Sequence, residues 1–329
     1  MTDELTGTNP HAVIELLKAR AGGDTNASGS RKLALVVEGG GMRGVLSAGS
    51  LLALDLLGFQ PCFDEIYAAS AGGVNAAYFL SGQGLLGITI YFDSISNRRF
   101  FNPYRPTKIV DIEYVYDHIV PHVKSLDEAA IRSARARLYI SVTDAHSGQN
   151  VLIDASASPD PICRILKASS ALPVLYNRTV QLASGEFVDG GVTDAMPVGA
   201  AVTRGCTDIL VLSTRPRSYL SSGPNMLQRA LLQFMVGRRH PKLMAACLQT
   251  HECANRSRRL AAGDEVLPGV NVATICPTLS EQVVGRTTIK RDLLVRGAHL
   301  MAAKTFRLFA GEMAELGEVF ATFESARES

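Results

Sequence analysis

Apolar positions in this chain come in blocks, and the blocks have two distinct periods. Leu33–Val37 (LALVV) is apolar at every position, the pattern of a strand buried on both faces of a parallel sheet. Asp208–Thr214 (DILVLST) reads as a further buried strand, and Val270–Pro277 (VNVATICP) is strand-like. Glu65–Ser70 (EIYAAS), Arg137–Ala145 (RLYISVTDA) and Asn150–Asp154 (NVLID) are further strand candidates, and FVDGG closes a short strand after a turn at Gly185. Between them the spacing turns helical: Val45 to Leu57, the stretch after Ser70 through Tyr78, Pro161 to Ser169, residues 224–262 and residues 288–324. Strand–turn–helix alternation predicts an α/β fold of three layers, α/β/α, with a mostly parallel central sheet and helices on both faces. His11–Arg20 (HAVIELLKAR) reads as a short amphipathic helix, followed by the Gly/Ser/Asn-rich AGGDTNASGSRK. The expected organisation is a peripheral helix and flexible linker over 1–31, a core over 32–215, and a mainly helical part over 216–329 packed on that core.

Composition narrows the classes. With 329 residues, 47% hydrophobic and 19% charged, the chain can bury a sizeable core. A net charge of +2 lacks the basic excess of a nucleic-acid binder, so no nucleic-acid partner is expected. The six cysteines form no CxxC pair and match no zinc spacing; they read as reduced, mostly buried thiols. MTDELTGTNP has neither the basic start nor the apolar stretch of a signal peptide, and no run approaches the ~18 apolar residues of a membrane span. The expectation is a cytoplasmic protein able to touch membranes peripherally. Arg229–Leu248 (RALLQFMVGRRHPKLMAACL), which mixes apolar with basic residues, suits an anionic membrane surface or, equally, an internal helix pair with a basic turn.

Three motifs carry candidate chemistry. Glu38–Gly44 (EGGGMRG) joins a buried strand to a helix. Its consecutive glycines allow positive φ and let several N–H groups converge beside a helix N-terminus, making an anion hole for a phosphate or an oxyanion. Gly39, Gly41 and Gly44 also satisfy a loose GxGxxG. A nucleotide-binding loop would need an acidic residue about 20 positions on, at a strand end, but Asp64 and Glu65 lie at the start of their strand instead of ending it. In Ala68–Gly73 (AASAGG) Ser70 sits where a strand turns into a helix. This fits either a helix N-cap or a nucleophile elbow, whose flanking small residues would be Ala68 and Gly72. In Val188–Pro197 (VDGGVTDAMP) Asp189 is either a turn aspartate or a carboxylate presented at a sheet edge, and Asp194 reads as a cap or turn residue. His118 and His122 flank Pro121, which interrupts their helix, and do not make a HExxH site. No metal and no cofactor is expected.

Glycine loop, serine elbow and Asp-Gly-Gly, in that order, resemble the patatin-like phospholipases. The resemblance runs from Lys32 to Leu212 and includes ASSALPVLY (Ala168–Tyr176), similar to that family's Ala-Ser-Ser-Ala-x-Pro segment. His240–Glu252 and the C-terminal helices resemble a bacterial subgroup. Glu38 stands where the family often has Asp, and Ala68 replaces the elbow's first Gly. The resemblance implies a patatin-like catalytic core and a Ser70–Asp189 dyad without histidine. It also implies an oxyanion hole within Gly39, Gly40, Gly41, Met42, Arg43 and Gly44. Backbone N–H groups around Gly40, Gly41 and Met42 would hold the oxyanion. Arg43 would orient the loop, meet a lipid phosphate, or merely be a solvated helix-start residue. The expected activity is acyl-ester hydrolysis on a lipid, of phospholipase A or carboxylesterase type. An acyltransferase sharing the acyl-enzyme and a non-catalytic lipid-binding relative are the alternatives. The oligomeric state is not readable.

Overall fold

The computed structural model describes residues 5–23, 29–105, 108–265 and 267–310. Part of the expected linker, 24–28, and the end of the expected C-terminal helix, 311–324, lie outside the described residues.

Among the described residues nine strands form one sheet: β1 (Leu5–Thr6), β2 (Leu33–Val37), β3 (Glu65–Ala69), β4 (Arg137–Asp144), β5 (Asn150–Asp154), β6 (Val180–Leu182), β7 (Gly185–Asp189), β8 (Asp208–Leu212) and β9 (Asn271–Ile275). Their order is β1-β9-β8-β2-β3-β4-β7-β6, with β5 also on β4. The five central strands, β9, β8, β2, β3 and β4, are mutually parallel, while β1, β5, β6 and β7 join antiparallel at the margins.

The all-apolar strand runs follow from a sheet covered on both sides. Leu33, Leu35 and Val37 of β2 pack into one core with the helices Pro10–Ala21, Val45–Leu56, Ala71–Leu80, Ile162–Ser169 and Arg291–Ala310. Ala34 and Val36 face the other way, onto Val198–Thr203 and Pro241–Ala262. The period-2 alternation of the strand thus feeds two hydrophobic layers. The N-terminal segment is less peripheral than expected: β1 pairs with β9, and Val13, Leu16 and Leu17 are fully buried.

The stretch between β3 and β4 carries elements that no simple periodicity announced. Gly84–Thr89 is followed by a π-helical turn at Ile90–Ser94, and Tyr114–Val123 is π-helical throughout. Pro121 was expected to interrupt a helix but lies inside this one. Among the described residues no helix is long and apolar enough to cross a membrane.

Candidate active site

Ser70 follows β3 immediately and precedes the helix Ala71–Leu80. Its backbone sits at φ +54°, ψ −133°, a region that L-residues occupy only under constraint. The N-cap alternative is not what the side chain does, since it makes no capping bond. Instead Ser70 Oγ donates to Asp189 Oδ2 at 2.8 Å. The turn is buttressed from the Ala-Ser-Ser-Ala segment: Ser70 N–H donates to Ser169 Oγ at 2.8 Å, and Ser169 Oγ donates to Ser141 O at 2.7 Å. Gly72 is required by close approach, because a β-carbon there would lie 2.4 Å from Val37 O. Ala68 is fully buried between Val37 of β2 and Ile140 of β4.

Strand register explains how two residues 119 positions apart meet. One edge of β4 is taken by β5 along Tyr139–Thr143. The other edge is shared end to end: β3 comes up it as far as Ala69 opposite Ser141, and β7 comes down it as far as Asp189 opposite Val142. Consecutive residues of β4 therefore bring the ends of β3 and β7 together.

The Asp189 carboxyl is 3% exposed. Its Oδ1 accepts Gly191 N–H at 2.7 Å. Burial pushes its pKa up to about 6, against the opposing pull of the Gly191 N–H, the Ser70 hydroxyl and Arg286. It is thus a stronger base than a solvated aspartate, which titrates near ~4. Asp194 acts as a turn residue, accepting from Met196 N and from Ser257 Oγ.

The glycine loop divides by function. Gly40 and Gly41 have φ of +149° and +61°, and among the described residues neither N–H meets a backbone acceptor outside the regular elements. Met42 departs from expectation: its N–H already donates to Arg286 O at 3.0 Å, so it is not free to hold an oxyanion. Gly39 O accepts from Thr214 Oγ1, and Gly44 O accepts from Asn75 Nδ2 and Ser47 Oγ, so these two ends serve as anchors. Arg43 is not solvated: it is 3% exposed, with Nε on Thr214 Oγ1 at 3.2 Å. Glu38 is an anchor too, 2% exposed and paired with Arg258 at 2.6 Å, and it accepts from Ser213 Oγ and Thr214 N. Burial pushes its carboxyl up, but Arg258, Arg43 and those two donors outweigh burial and hold it below the usual range.

Ser70 and Asp189 open into a cavity of about 190 Å³. Val74, Ile90, Phe100, Ile112 and Val115 give it an apolar lining; most of these come from the stretch before β4. Arg43, Arg215, Tyr219, Arg258 and Arg286 give it a charged one. No histidine lines it among the described residues. Ser169, Arg215, Tyr219, Arg258 and Arg286 were not singled out from sequence; only Ser169 had a signal, its place in the ASSALPVLY segment.

A family model described as patatin-like phospholipase matches residues 35–202. An uncharacterised protein of Escherichia coli (strain K12), YjjU, is 26% identical over 231 residues, 68% of this chain and 63% of that protein. Human patatin-like phospholipase domain-containing protein 4 is 34% identical over 82 residues, 24% of this chain and 32% of that one. The chain thus spans less than two thirds of either relative. Among solved structures, VipD from Legionella pneumophila superposes with a TM-score of 0.40 at 14% identity, covering 85% of this chain and 66% of VipD. The type III effector ExoU gives 0.32 at 13% identity, with 91% and 63% covered.

Proposed function

Since the chain belongs to the patatin-like phospholipase family, we propose that it is a serine lipid acyl hydrolase working through Ser70 and Asp189. One observation carries this reading: the 2.8 Å hydrogen bond from a strained elbow serine to a buried carboxylate, both lining a largely apolar cavity. Ser70 Oγ attacks the ester carbonyl while its proton passes to Asp189 Oδ2. The N–H groups of Gly40 and Gly41 receive the oxyanion. Asp189 returns the proton to the leaving alcohol, takes one from the water that attacks the acyl-enzyme, and hands it to Ser70 Oγ as the acyl–serine bond breaks and the carboxylic acid leaves. Loss of one oxyanion donor typically lowers the rate by about 10²–10³.

The same reading includes peripheral contact with an anionic lipid surface. The exposed apolar residues lie at the N-terminal end of Arg229–Leu248 and just before it. The helix Met226–Leu232 buries none of its residues; Met226 is 88% exposed, Leu227 79%, and Phe234 beyond it 67%. Arg229 falls between them, and Arg238 and Arg239 follow, all three exposed. Val236 and Leu243, by contrast, are buried with Ala145, Val188 and Val192. Exposed apolar side chains among cations match a bilayer carrying negative headgroups, and Ser221, just before this helix, lines the cavity.

The test is reaction with a fluorophosphonate followed by intact-mass measurement. A single adduct on Ser70, absent from Ser70→Ala, is expected; an unmodified wild-type protein would overturn the assignment.

A further inference from the structure

The charged side of the cavity holds more guanidinium than the dyad mechanism uses. Arg43, Arg215, Arg258 and Arg286 line it against two carboxylates, Glu38 and Asp189. The first three are held in one cluster. Arg258 pairs with Glu38, Arg43 is tied to the same corner through Thr214, and Arg215 and Arg258 share the ring of Tyr219, with guanidinium carbons 4.0 and 5.2 Å from its centroid. Arg286 joins from the rim, its backbone carbonyl fixing the glycine loop through Met42. Arg215, Arg258 and Arg286 lie outside residues 35–202, so they are not part of the shared family segment.

Several of these donors are buried without a partner among the described residues: Arg43 Nη1, Arg215 Nε, and Arg258 Nε and Nη1. An orphaned donor on a buried cation is costly, and like charges gathered in a poorly solvated site repel. Guanidinium groups converging on a cavity are suited to a phosphate, whose oxygens accept paired N–H bonds. Burial and the neighbouring arginines accordingly push the Arg43 guanidinium down to about 10, with only Glu38 opposing. An ester divides at its carbonyl into an acyl chain and an alcohol. The apolar lining suits the first, and the guanidinium lining suits an anionic version of the second.

We propose that Arg43, Arg215, Arg258 and Arg286 form a subsite for a phosphate-bearing, net anionic alcohol portion of the substrate, so that the protein selects acidic glycerophospho-esters over neutral or zwitterionic ones. This rests on the hydrolase reading above. Arg43 and Arg258 are poor probes, because removing either disturbs the buried Glu38. Arg215→Gln/Arg286→Gln leaves that pair intact, and the Arg286 carbonyl that holds Met42 is backbone and survives the change.

The experiment compares kcat/KM for a 1-acyl-sn-glycerol 3-phosphate, the matching acyl lysophosphatidylcholine and the matching monoacylglycerol, all monomeric. Wild type should prefer the glycerol phosphate ester by about tenfold or more, as expected for charge-assisted hydrogen bonds. The double variant should bring the ratios close to one. In parallel, sn-glycerol 3-phosphate, inorganic phosphate and glycerol are added to Ser70→Ala protein in thermal melts. The first should raise Tm, glycerol should not, and the arginine substitutions should remove the rise. Equal turnover of all three esters by wild type overturns the proposal; a Tm rise with inorganic phosphate would then mean that the arginines hold a free anion. If wild type cleaves none of the esters, the hydrolase reading fails. The subsite then stands only if sn-glycerol 3-phosphate still stabilises Ser70→Ala in an arginine-dependent way, and falls otherwise.

Discussion

At the scale of single residues, burial decides what Asp189 can do and when. A general base must be ionised, and burial holds this carboxyl near 6, so kcat/KM should fall as the pH drops through about 6 and not persist to about 4. The same burial has a consequence for stability. The folded-state pKa lies above the ordinary 3.8, so the folded protein holds the proton more tightly than the unfolded chain does. Asp189 then adds no penalty below about pH 4, a growing one between about 4 and 6, and a full one above. Asp189→Asn should therefore abolish turnover yet gain about 1–3 kcal/mol of stability at pH 8, with less gain at pH 5. Urea melts at the two pH values check this; equal stability of variant and wild type at pH 8 would mean that the charged carboxylate is not desolvated. Gly41 behaves differently, because a β-carbon there would meet both a positive φ and Arg286 O at 2.8 Å. Gly41→Ala should lose rate and more than ~1 kcal/mol of stability together, since it disturbs the carbonyl that holds Met42.

At the scale of elements, what was legible in the sequence follows from periodicity. β2, β3 and β8 are apolar on both faces and short, so their runs stood out, and the serine and aspartate motifs sit directly at the ends of β3 and β7. The wall residues Ile90, Ile112 and Val115 were not legible, because they lie in or beside π-helical turns, where bonding to the fifth residue breaks the 3.6 spacing that marks a helix. The arginine lining was hidden for another reason: residues 215, 258 and 286 come from separate segments and converge only in the fold. The helix Met226–Leu232 shows the limit of composition, since the basic, apolar stretch marked in the sequence begins at Arg229 and misses the exposed Met226 and Leu227. Leu227→Asp/Phe234→Asp should lower binding to phosphatidylglycerol vesicles by well over tenfold, as the burial of each side chain is worth roughly 1.5–3 kcal/mol. Turnover of a soluble p-nitrophenyl ester should be retained. Unchanged vesicle flotation would remove this helix from the contact surface. For the elbow, Ser169→Ala leaves the Ser70 N–H without its acceptor and should cost about 1–3 kcal/mol, with a fall in kcat larger than any change in KM.

At the scale of the whole molecule, the site exists because distant parts of the chain are clamped to one end of the sheet. β4 aligns β3 with β7, and the hydrogen bond between Ser70 and Asp189 follows from that register. The glycine loop needs a second clamp, and Glu38 supplies it. Its carboxylate joins the end of β2 to Ser213 and Thr214 beyond β8, and to Arg258 on the helix Pro241–Ala262, which covers the opposite face of the sheet from Val45–Leu56. The two partners are not equivalent. Without Arg258, Glu38 keeps the Thr214 N–H, the Ser213 hydroxyl and the nearby charge of Arg43. Without Glu38, Arg258 and Arg43 remain buried with no carboxylate in contact among the described residues, in a region that already has an excess of guanidinium. Removing one member of a buried pair typically costs about 3–5 kcal/mol, so Glu38→Gln should fall in that range at pH 7, with Arg258→Met less damaging. The pH dependence has a definite sign: a carboxyl held below its usual range contributes stability above the unfolded-state value near 4.5 and loses it as the pH falls through the lower folded-state value. The gap between wild type and Glu38→Gln in urea melts should therefore be widest near neutrality and narrow in acid. If Arg258→Met proves the more damaging change, or if the gap widens in acid, Glu38 is not the carboxylate that fastens the loop.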